Sequence, residues 1–270
     1  MEERTSSGGG RLVPRPLDRI AVVLSAACAV VLTALAVRYH GGHQPGGFDE
    51  WAYSNLTKVG LPRGPLTRVV DVVPPTFVGL VVVLTVVLAA RRRWRAAALA
   101  ALGPGLALLV TEVGKRLVGR SLDGMLALPS GHTTGVASVV AVIAVLLISR
   151  ARHVGRAAVL GLLAVTLAAA AIGLAMVTLR FHYATDVIAG YCVGVAVPLA
   201  FALAIDSVPY RSRVSTDHPR DVTVAPWESA TTTPRRGAPF GDQVHRRVPT
   251  DIRRPLDAQP GHLVLDGQRA

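Results

Sequence analysis

Two histidines and an aspartate lie where apolar segments begin, and their spacing suits nucleophilic or acid–base chemistry. His182 and Asp186 are four residues apart, which places them on one face of a helix and one turn from each other. The carboxylate can accept a hydrogen bond from one imidazole nitrogen, which leaves the other free to attack or to take a proton. The alternative is an Asp-capped helix start with an unrelated interfacial histidine.

His132 marks a second helix start and follows Ser130 and Gly131. Serine is a preferred N-cap residue, and glycine lets a ligand approach the backbone closely. Free N–H groups and the positive end of the helix dipole make such a start an anion-binding site. For this segment alone, a plain Pro-Ser-Gly turn with a solvated histidine is the alternative.

Fixed positive charge accompanies both segments. Lys115, Arg116 and Arg120 form one basic cluster, and Arg180 precedes the His-Asp pair. Arginine forks match phosphate oxygens, whereas lysine acts as a point charge. Taken alone, the cluster is better explained as an anchor to anionic lipid, and Glu112 is spaced to pair with Lys115 or Arg116.

Together these groups supply what phosphoryl transfer requires. The reaction needs a nucleophile, an acid for the leaving group and positive charge around the phosphate oxygens. Two imidazoles, a carboxylate, a Ser-Gly helix start and several cations provide all three, so we expect no metal and no other cofactor. Cys28 and Cys192 lie inside apolar runs without metal-ligand spacing, and we expect them to be inert, buried thiols.

Long apolar segments must position this chemistry. The 270 residues are 51% hydrophobic and 17% charged, against about 25% charged in soluble domains. A helix needs about 20 apolar residues to cross a bilayer, and backbone groups in lipid must bond internally. We therefore exclude an ordinary soluble enzyme and expect an all-α integral membrane protein. Its six predicted spans are 20–37, 72–90, 96–111 (if extended toward Lys115), 133–149, 157–179 and 187–205.

Basic loops predict the orientation of these spans. Arginines at 91–95 and 150–156 follow spans two and four, and such loops stay in the cytoplasm. The connections that carry the candidate site then face outside the cytoplasm, as in a multi-pass protein of a bacterial plasma membrane. In the connection 38–71 we expect a short interfacial helix capped by Asp49. The net charge of +12 reflects cytoplasmic loops and anionic headgroups, so we expect no nucleic-acid partner.

Polar segments flank the predicted membrane domain, residues 20–205. Residues 1–19 are expected to form a cytoplasmic N-terminal segment, and the first run to be an uncleaved span rather than a signal peptide. Residues 206–270 lack apolar periodicity and are expected to form a disordered cytoplasmic tail. The arginines of the tail could lie on anionic lipid or meet a partner, and a solvated tail without function is an equal alternative.

The motifs resemble those of the type 2 phosphatidic acid phosphatase (PAP2) superfamily of integral membrane lipid phosphatases. The motifs of that superfamily are KxxxxxxRP, PSGH and SRxxxxxHxxxD. Here the second is complete at 129–132, the third keeps His182 and Asp186, and the first keeps Lys115 and Arg120. The resemblance covers roughly residues 20–205, excludes the tail and implies a PAP2-like six-helix bundle.

The resemblance also implies a mechanism without a metal. His182 would attack phosphorus and form a phosphohistidine, Asp186 would orient it, and His132 would protonate the leaving oxygen. Three further residues would hold the phosphate oxygens: Lys115, Ser130 and Gly131. The implied substrate and partner is a membrane lipid phosphate or diphosphate, of the polyprenyl diphosphate, phosphatidate or phosphatidylglycerophosphate type.

Two arginines of the family motifs are absent. The Arg-Pro of the first motif falls on 122–123, and the Ser-Arg of the third falls on 175–176. We hypothesise that Arg120 and Arg180 replace them in phosphate binding, because a buried phosphate dianion without such partners is strongly disfavoured. A PAP2-like protein that binds or moves phospholipids without hydrolysis is the alternative. A small transporter is less well supported, since no charge lies in the middle of a span.

Overall fold

The structure is a computed structural model that describes residues 11–208. Within that part of the chain there are seven α-helices: Asp18–Arg38 (α1), Gly47–Lys58 (α2), Arg63–Ala90 (α3), Trp94–Val118 (α4), Gly131–Ile148 (α5), Val154–Thr178 (α6) and Ala184–Ser207 (α7). A short 3-10 turn, Arg15–Leu17, precedes α1. Strands Ser121–Leu122 (β1) and Met125–Leu126 (β2) pair antiparallel in the connection between α4 and α5.

Six of these helices, all except α2, are long and apolar enough to cross a membrane. Each covers one of the apolar runs, so the predicted all-α bundle of six transmembrane helices is confirmed. Two spans extend furthest beyond their runs: α3 begins at Arg63 rather than at 72, and α4 continues to Val118. Lys115 therefore lies in the last turn of α4 rather than in a loop.

The short helix α2 and the last span α7 begin in the same way. Asp49 is the third residue of α2, and one of its oxygens accepts a hydrogen bond from the Gly46 N–H at 3.0 Å. Asp186 is the third residue of α7 and accepts from the Tyr183 N–H at 2.9 Å. Carboxylates in this position satisfy free backbone donors and complement the positive end of the helix dipole. Both aspartates are therefore held at helix starts by local interactions.

Small residues bring α5 and α7 into close contact. A Cβ atom added at Gly190 would lie 2.5 Å from the carbonyl oxygen of Ser130. One added at Gly194 would lie 2.6 Å from the Cβ of Ala137. Glycine lets membrane helices approach this closely. The Ser130 N–H also donates to the Asp186 carbonyl oxygen at 3.0 Å, so the starts of α5 and α7 are joined through their backbones.

At the opposite end of the bundle, the chain before α1 packs against the end of α7. The N–H groups of Leu12 and Val13 donate to the carboxylate of Asp206 at 3.0 and 2.8 Å, and both side chains are buried. A buried carboxylate requires such donors. Part of the predicted polar segment 1–19 is thus docked on the bundle. Residues 1–10, and the predicted tail from 209 onward, lie outside the described residues.

We expect Gly194→Ala to lower the free energy of unfolding by about 1–3 kcal/mol, because the added methyl group would overlap the backbone of α5. Gly105→Ala on α4 is the matched control, since no atom lies within 4 Å of its added Cβ. Thermal unfolding of the purified protein in detergent measures both effects. Equal midpoints for the two variants would contradict the close contact between α5 and α7.

Candidate active site

Four helix ends that carry the predicted site residues meet on one side of the bundle. The end of α4 holds Lys115, and α5 begins directly after Ser130. The end of α6 lies just before Arg180, and α7 begins directly after Tyr183. Successive spans reverse direction, so these ends and the short helix α2 lie at one end of the bundle.

Lys115 and the start of α5 form the first half of the site. The Lys115 Nζ lies 3.6 Å from the position of a Cβ added at Gly131, and 2.9 Å from a carboxylate oxygen of Glu112. Ser130 is fully buried, and its Oγ accepts from Thr133 Oγ1 at 3.1 Å. The first N–H groups of a helix have no intrahelical partner. An ammonium group beside such N–H groups, with no side chain at Gly131, is an arrangement suited to a phosphate.

The two histidines come from different parts of the chain and lie near each other beside this helix start. His132 is the second residue of α5, and His182 lies in the connection just before α7. His132 is close enough to interact electrostatically with both His182 and Lys115. The two rings are partly buried rather than fully enclosed. Two imidazoles and a cation are thus gathered around one point at the end of the bundle.

Asp186 lies beside His182, as the four-residue spacing predicts. The distance between His182 Nδ1 and Asp186 Oδ2 is 3.7 Å, which is longer than a hydrogen bond. Among the described residues, the buried Nδ1 has no hydrogen-bond partner. Asp186 instead accepts from the Tyr183 N–H and from Arg120. A small movement of the imidazole would complete the missing bond.

Asp49, Arg120 and Asp186 form a buried ionic cluster, which we call the carboxylate clamp. Arg120 Nη1 donates to Asp186 Oδ1 at 2.7 Å, and Nη2 donates to Asp49 Oδ2 at 2.8 Å. All three side chains are 0% exposed. Thr185 joins the same network, because its hydroxyl accepts from Arg120 at 2.6 Å and donates to Asp49 at 2.8 Å.

Two tyrosines enclose the guanidinium of the clamp. Its central carbon lies 3.9 Å from the centre of the Tyr39 ring and 4.2 Å from that of Tyr183. Aromatic faces attract cations, most strongly where water is excluded. The carboxylates therefore bind the edge of the Arg120 guanidinium, and the tyrosine rings pack against its faces.

The clamp corrects the predicted role of Arg120. The guanidinium is fully buried, and both terminal nitrogens are bonded to carboxylates, so it is not accessible to a phosphate even though Nε has no partner among the described residues. Gly119 turns the chain inward with φ of +66°, directly before this residue. The partner on α2, Asp49, was expected only to cap a helix, and no spacing in the sequence connects it with Arg120. A buried arginine requires acidic partners. That rule would have pointed to a partner such as Asp49 only if the burial of Arg120 had been known.

Arg180, the second candidate substitute, has a different environment. Its guanidinium lies 4.0 Å from the centre of the Tyr53 ring on α2, and the residue is exposed. It adopts φ of +63°, and it lines a cavity of about 360 Å³ together with His182. The rim of this cavity also carries the exposed carboxylates of Glu50 and Asp123. Arg180 is therefore accessible to a ligand beside His182, and its role in phosphate binding stays a prediction.

Across residues 11–208, no group of three or more His, Cys, Asp or Glu side chains could hold a metal ion. Cys28 and Cys192 are both buried free thiols, and both pack in an apolar cluster within the bundle.

Comparison with known proteins gives one match. Residues 119–208 match the family model of the PAP2 superfamily. No curated protein and no solved structure matches the chain. The matched segment contains Arg120, both histidines and Asp186, whereas Lys115 and Asp49 lie before it.

Stability at low pH should depend on Asp49. Burial raises the pKa of Asp49, but hydrogen bonds from Arg120, Thr185 and Gly46 outweigh burial and hold it below its ordinary value. The carboxylate therefore stabilises the fold above its ordinary pKa, and this contribution is lost as the pH falls through the lowered value. We expect the unfolding midpoint to fall as the pH drops below about 4, and to fall less in Asp49→Asn.

The matched control is Glu50→Gln, which changes the neighbouring, exposed carboxylate of α2. This variant should keep the acid-induced loss of stability seen in the wild type. Thermal unfolding in detergent across the pH range distinguishes the three proteins. Parallel curves for Asp49→Asn and the wild type would contradict a buried, charged Asp49.

Proposed function

Because this membrane protein belongs, through residues 119–208, to the PAP2 superfamily, we propose that it is a phosphatase that hydrolyses a phosphate or diphosphate ester on a membrane lipid. The observation that carries the proposal is that His132 and His182 lie close enough to interact electrostatically, beside Lys115 and the start of α5. A module that only binds phospholipid would need the cations, and would not need two imidazoles and a carboxylate around them.

His182 is the proposed nucleophile. One ring nitrogen attacks phosphorus, a nitrogen–phosphorus bond forms, and the bond between phosphorus and the leaving oxygen breaks. The ring gains positive charge in this step, and Asp186 lies 3.7 Å from Nδ1 to balance it. The product is a phosphohistidine with the Nδ1 proton directed toward a carboxylate, which suits nucleophilic catalysis by histidine.

His132 is the proposed acid and base. In the first step it donates a proton to the leaving oxygen, which departs as an alcohol or as a phosphate. In the second step neutral His132 takes a proton from water, and the water oxygen attacks phosphorus. The nitrogen–phosphorus bond breaks, inorganic phosphate leaves, and both rings return to their first state. One group can serve in both steps because each step reverses its protonation.

The phosphate oxygens are proposed to bind between Lys115 and the start of α5. Lys115 supplies charge, and Ser130 and the Gly131 N–H supply the helix-start donors. Arg180 is proposed to approach from the cavity on the other side of His182. Arg120 has no place in this set, since its charge is already neutralised within the carboxylate clamp.

A lipid substrate suits the position of the site at the ends of membrane-spanning helices. The phosphate can enter at headgroup depth while the hydrocarbon tail stays in the bilayer. The basic loops at the opposite ends of the spans favour a site outside the cytoplasm of a bacterial cell. Lipids with polyprenyl diphosphate, phosphatidate and phosphatidylglycerophosphate headgroups are the candidates to compare.

His182→Ala should abolish turnover. We expect the purified wild type to release phosphate from at least one lipid of this panel in the presence of EDTA. The variant should be slower by about 10³-fold or more, since it removes the nucleophile. Brief incubation with substrate labelled with ³²P, followed by alkaline quenching, should label the wild type at a histidine and leave the variant unlabelled.

His153→Ala is the matched control, because His153 is exposed at the opposite end of the bundle, before α6. It should retain full activity. Equal phosphate release by wild type and His182→Ala would contradict the proposed nucleophile. Stoichiometric lipid binding by the wild type without release would favour the alternative, a PAP2-like protein that binds or moves phospholipids.

Lys115 and Arg116 provide a second matched pair. Lys115→Gln should lower kcat/KM by about 10²-fold, as loss of one well-placed charged donor does. Arg116→Gln removes the same charge from the next residue, which is exposed and has no place in the proposed site. Steady-state kinetics with one lipid phosphate measures both. Equal losses would indicate a general effect of basic charge and contradict a specific contact from Lys115.

A further inference from the structure

Asp49 has no role in the reaction described above, yet it is bound as tightly as any group near the site. Its two oxygens receive hydrogen bonds from Arg120, from Thr185 and from the Gly46 N–H, and the residue is 2% exposed. It belongs to α2, which precedes the segment matched by the family model. Buried carboxylates are retained only where their charge is matched, so the purpose of this charge requires an explanation.

The clamp divides one guanidinium between two carboxylates. An arginine beside a single carboxylate commonly binds both of its oxygens. Here Nη2 is occupied by Asp49, so Asp186 receives only Nη1, through Oδ1. Its other oxygen, Oδ2, accepts from the Tyr183 N–H and faces His182 Nδ1. Asp49 thereby leaves one oxygen of Asp186 available to the histidine.

The division also sets the charge beside His182. Two carboxylates share one guanidinium, so the clamp carries one more negative than positive charge. Without Asp49 the remaining pair would be neutral. A negative charge close to an imidazole favours its protonated or otherwise positive form. The excess charge therefore stabilises the positive ring that forms when His182 attacks phosphorus.

We propose that Asp49 is a positioning residue of this site, which acts through Arg120 to keep Asp186 free and negatively charged beside His182. The inference rests on the proposed function, because it assumes that His182 is the nucleophile. It assigns to Arg120 and α2 a part in the reaction that involves no contact with the substrate.

Other ionisable groups also face His182, from each element around it. His132 on α5 interacts electrostatically with His182, and both Lys115 on α4 and Asp71 on α3 act on His132. The remaining groups line the cavity that His182 shares: Glu50 and Tyr53 on α2, Asp123 in the hairpin turn, and Arg180 and Tyr183 before α7. These groups are identical in all variants that test the proposal, so differences between variants report the clamp.

The test is a charge cycle read from the pH dependence of kcat/KM. The acidic limb of that profile follows deprotonation of the nucleophile in the free enzyme. Asp49→Asn neutralises the clamp and removes negative charge beside His182, so the limb should move to lower pH by about 0.5 to 1 unit. Arg120→Gln leaves two uncompensated carboxylates, so the limb should move to higher pH.

The double variant Asp49→Asn, Arg120→Gln restores the original net charge of the clamp and should return the limb to within about 0.3 unit of the wild type. Asp49→Glu keeps the charge and should leave the limb in place, even if kcat falls. Asp18→Asn is the matched control, because it makes the same change in the first turn of α1, at the end of the bundle away from the clamp. It should leave the whole profile unchanged. Loss of packing alone would lower kcat in every variant without moving the limb in opposite directions.

Two results would overturn the inference: an unshifted limb in Asp49→Asn, or shifts of the same sign in both single variants. Arg120→Gln could fail to fold, which the unfolding midpoint in detergent reveals. In that case Asp49→Asn and Asp49→Glu decide the question between them. The proposed function fails separately, if the wild type forms no ³²P-labelled histidine and releases no phosphate.

Discussion

One fully buried guanidinium is the constraint on which the active end of this bundle depends. A buried charge without partners is costly, and removing one partner of such a pair commonly costs about 3–5 kcal/mol. The charge of Arg120 is matched by Asp49 on α2 and Asp186 on α7, and the rings of Tyr39 and Tyr183 pack against its guanidinium. Its position therefore joins the starts of two helices and the end of a third.

That constraint positions the chemistry. Each aspartate of the clamp is also the third residue of its helix and caps it, so the network cannot shift without disturbing both helix starts. Asp186 lies beside His182, and its carbonyl oxygen accepts a hydrogen bond from the Ser130 N–H on α5. The clamp therefore also fixes the positions of these two residues. The second imidazole belongs to His132, two residues after Ser130. A rigid cluster is thus placed behind a site whose remaining cations, Lys115 and Arg180, stay accessible.

Much of this arrangement was predictable from local patterns. Apolar runs predicted the six spans, because backbone in lipid must form helices. The four-residue spacing placed Asp186 beside His182, and the Pro-Ser-Gly segment predicted the start of α5. Prediction was least accurate at the boundaries, as at Lys115, because a polar residue ends an apolar run without ending the helix. Arg120 was assigned to phosphate because a basic residue in a loop carries no sign of whether it is exposed.

The sequence by itself determined the fold class, the starts of α5 and α7 and the pairing of groups within a few residues of each other, since all three depend on period and local hydrogen bonding. Only the tertiary structure decided which charges neutralise each other. Asp49 and Arg120 are separated by two membrane spans, and an ionic contact over that distance leaves no periodic trace in the chain. Burial, which makes that contact obligatory, exists only once the helices have packed.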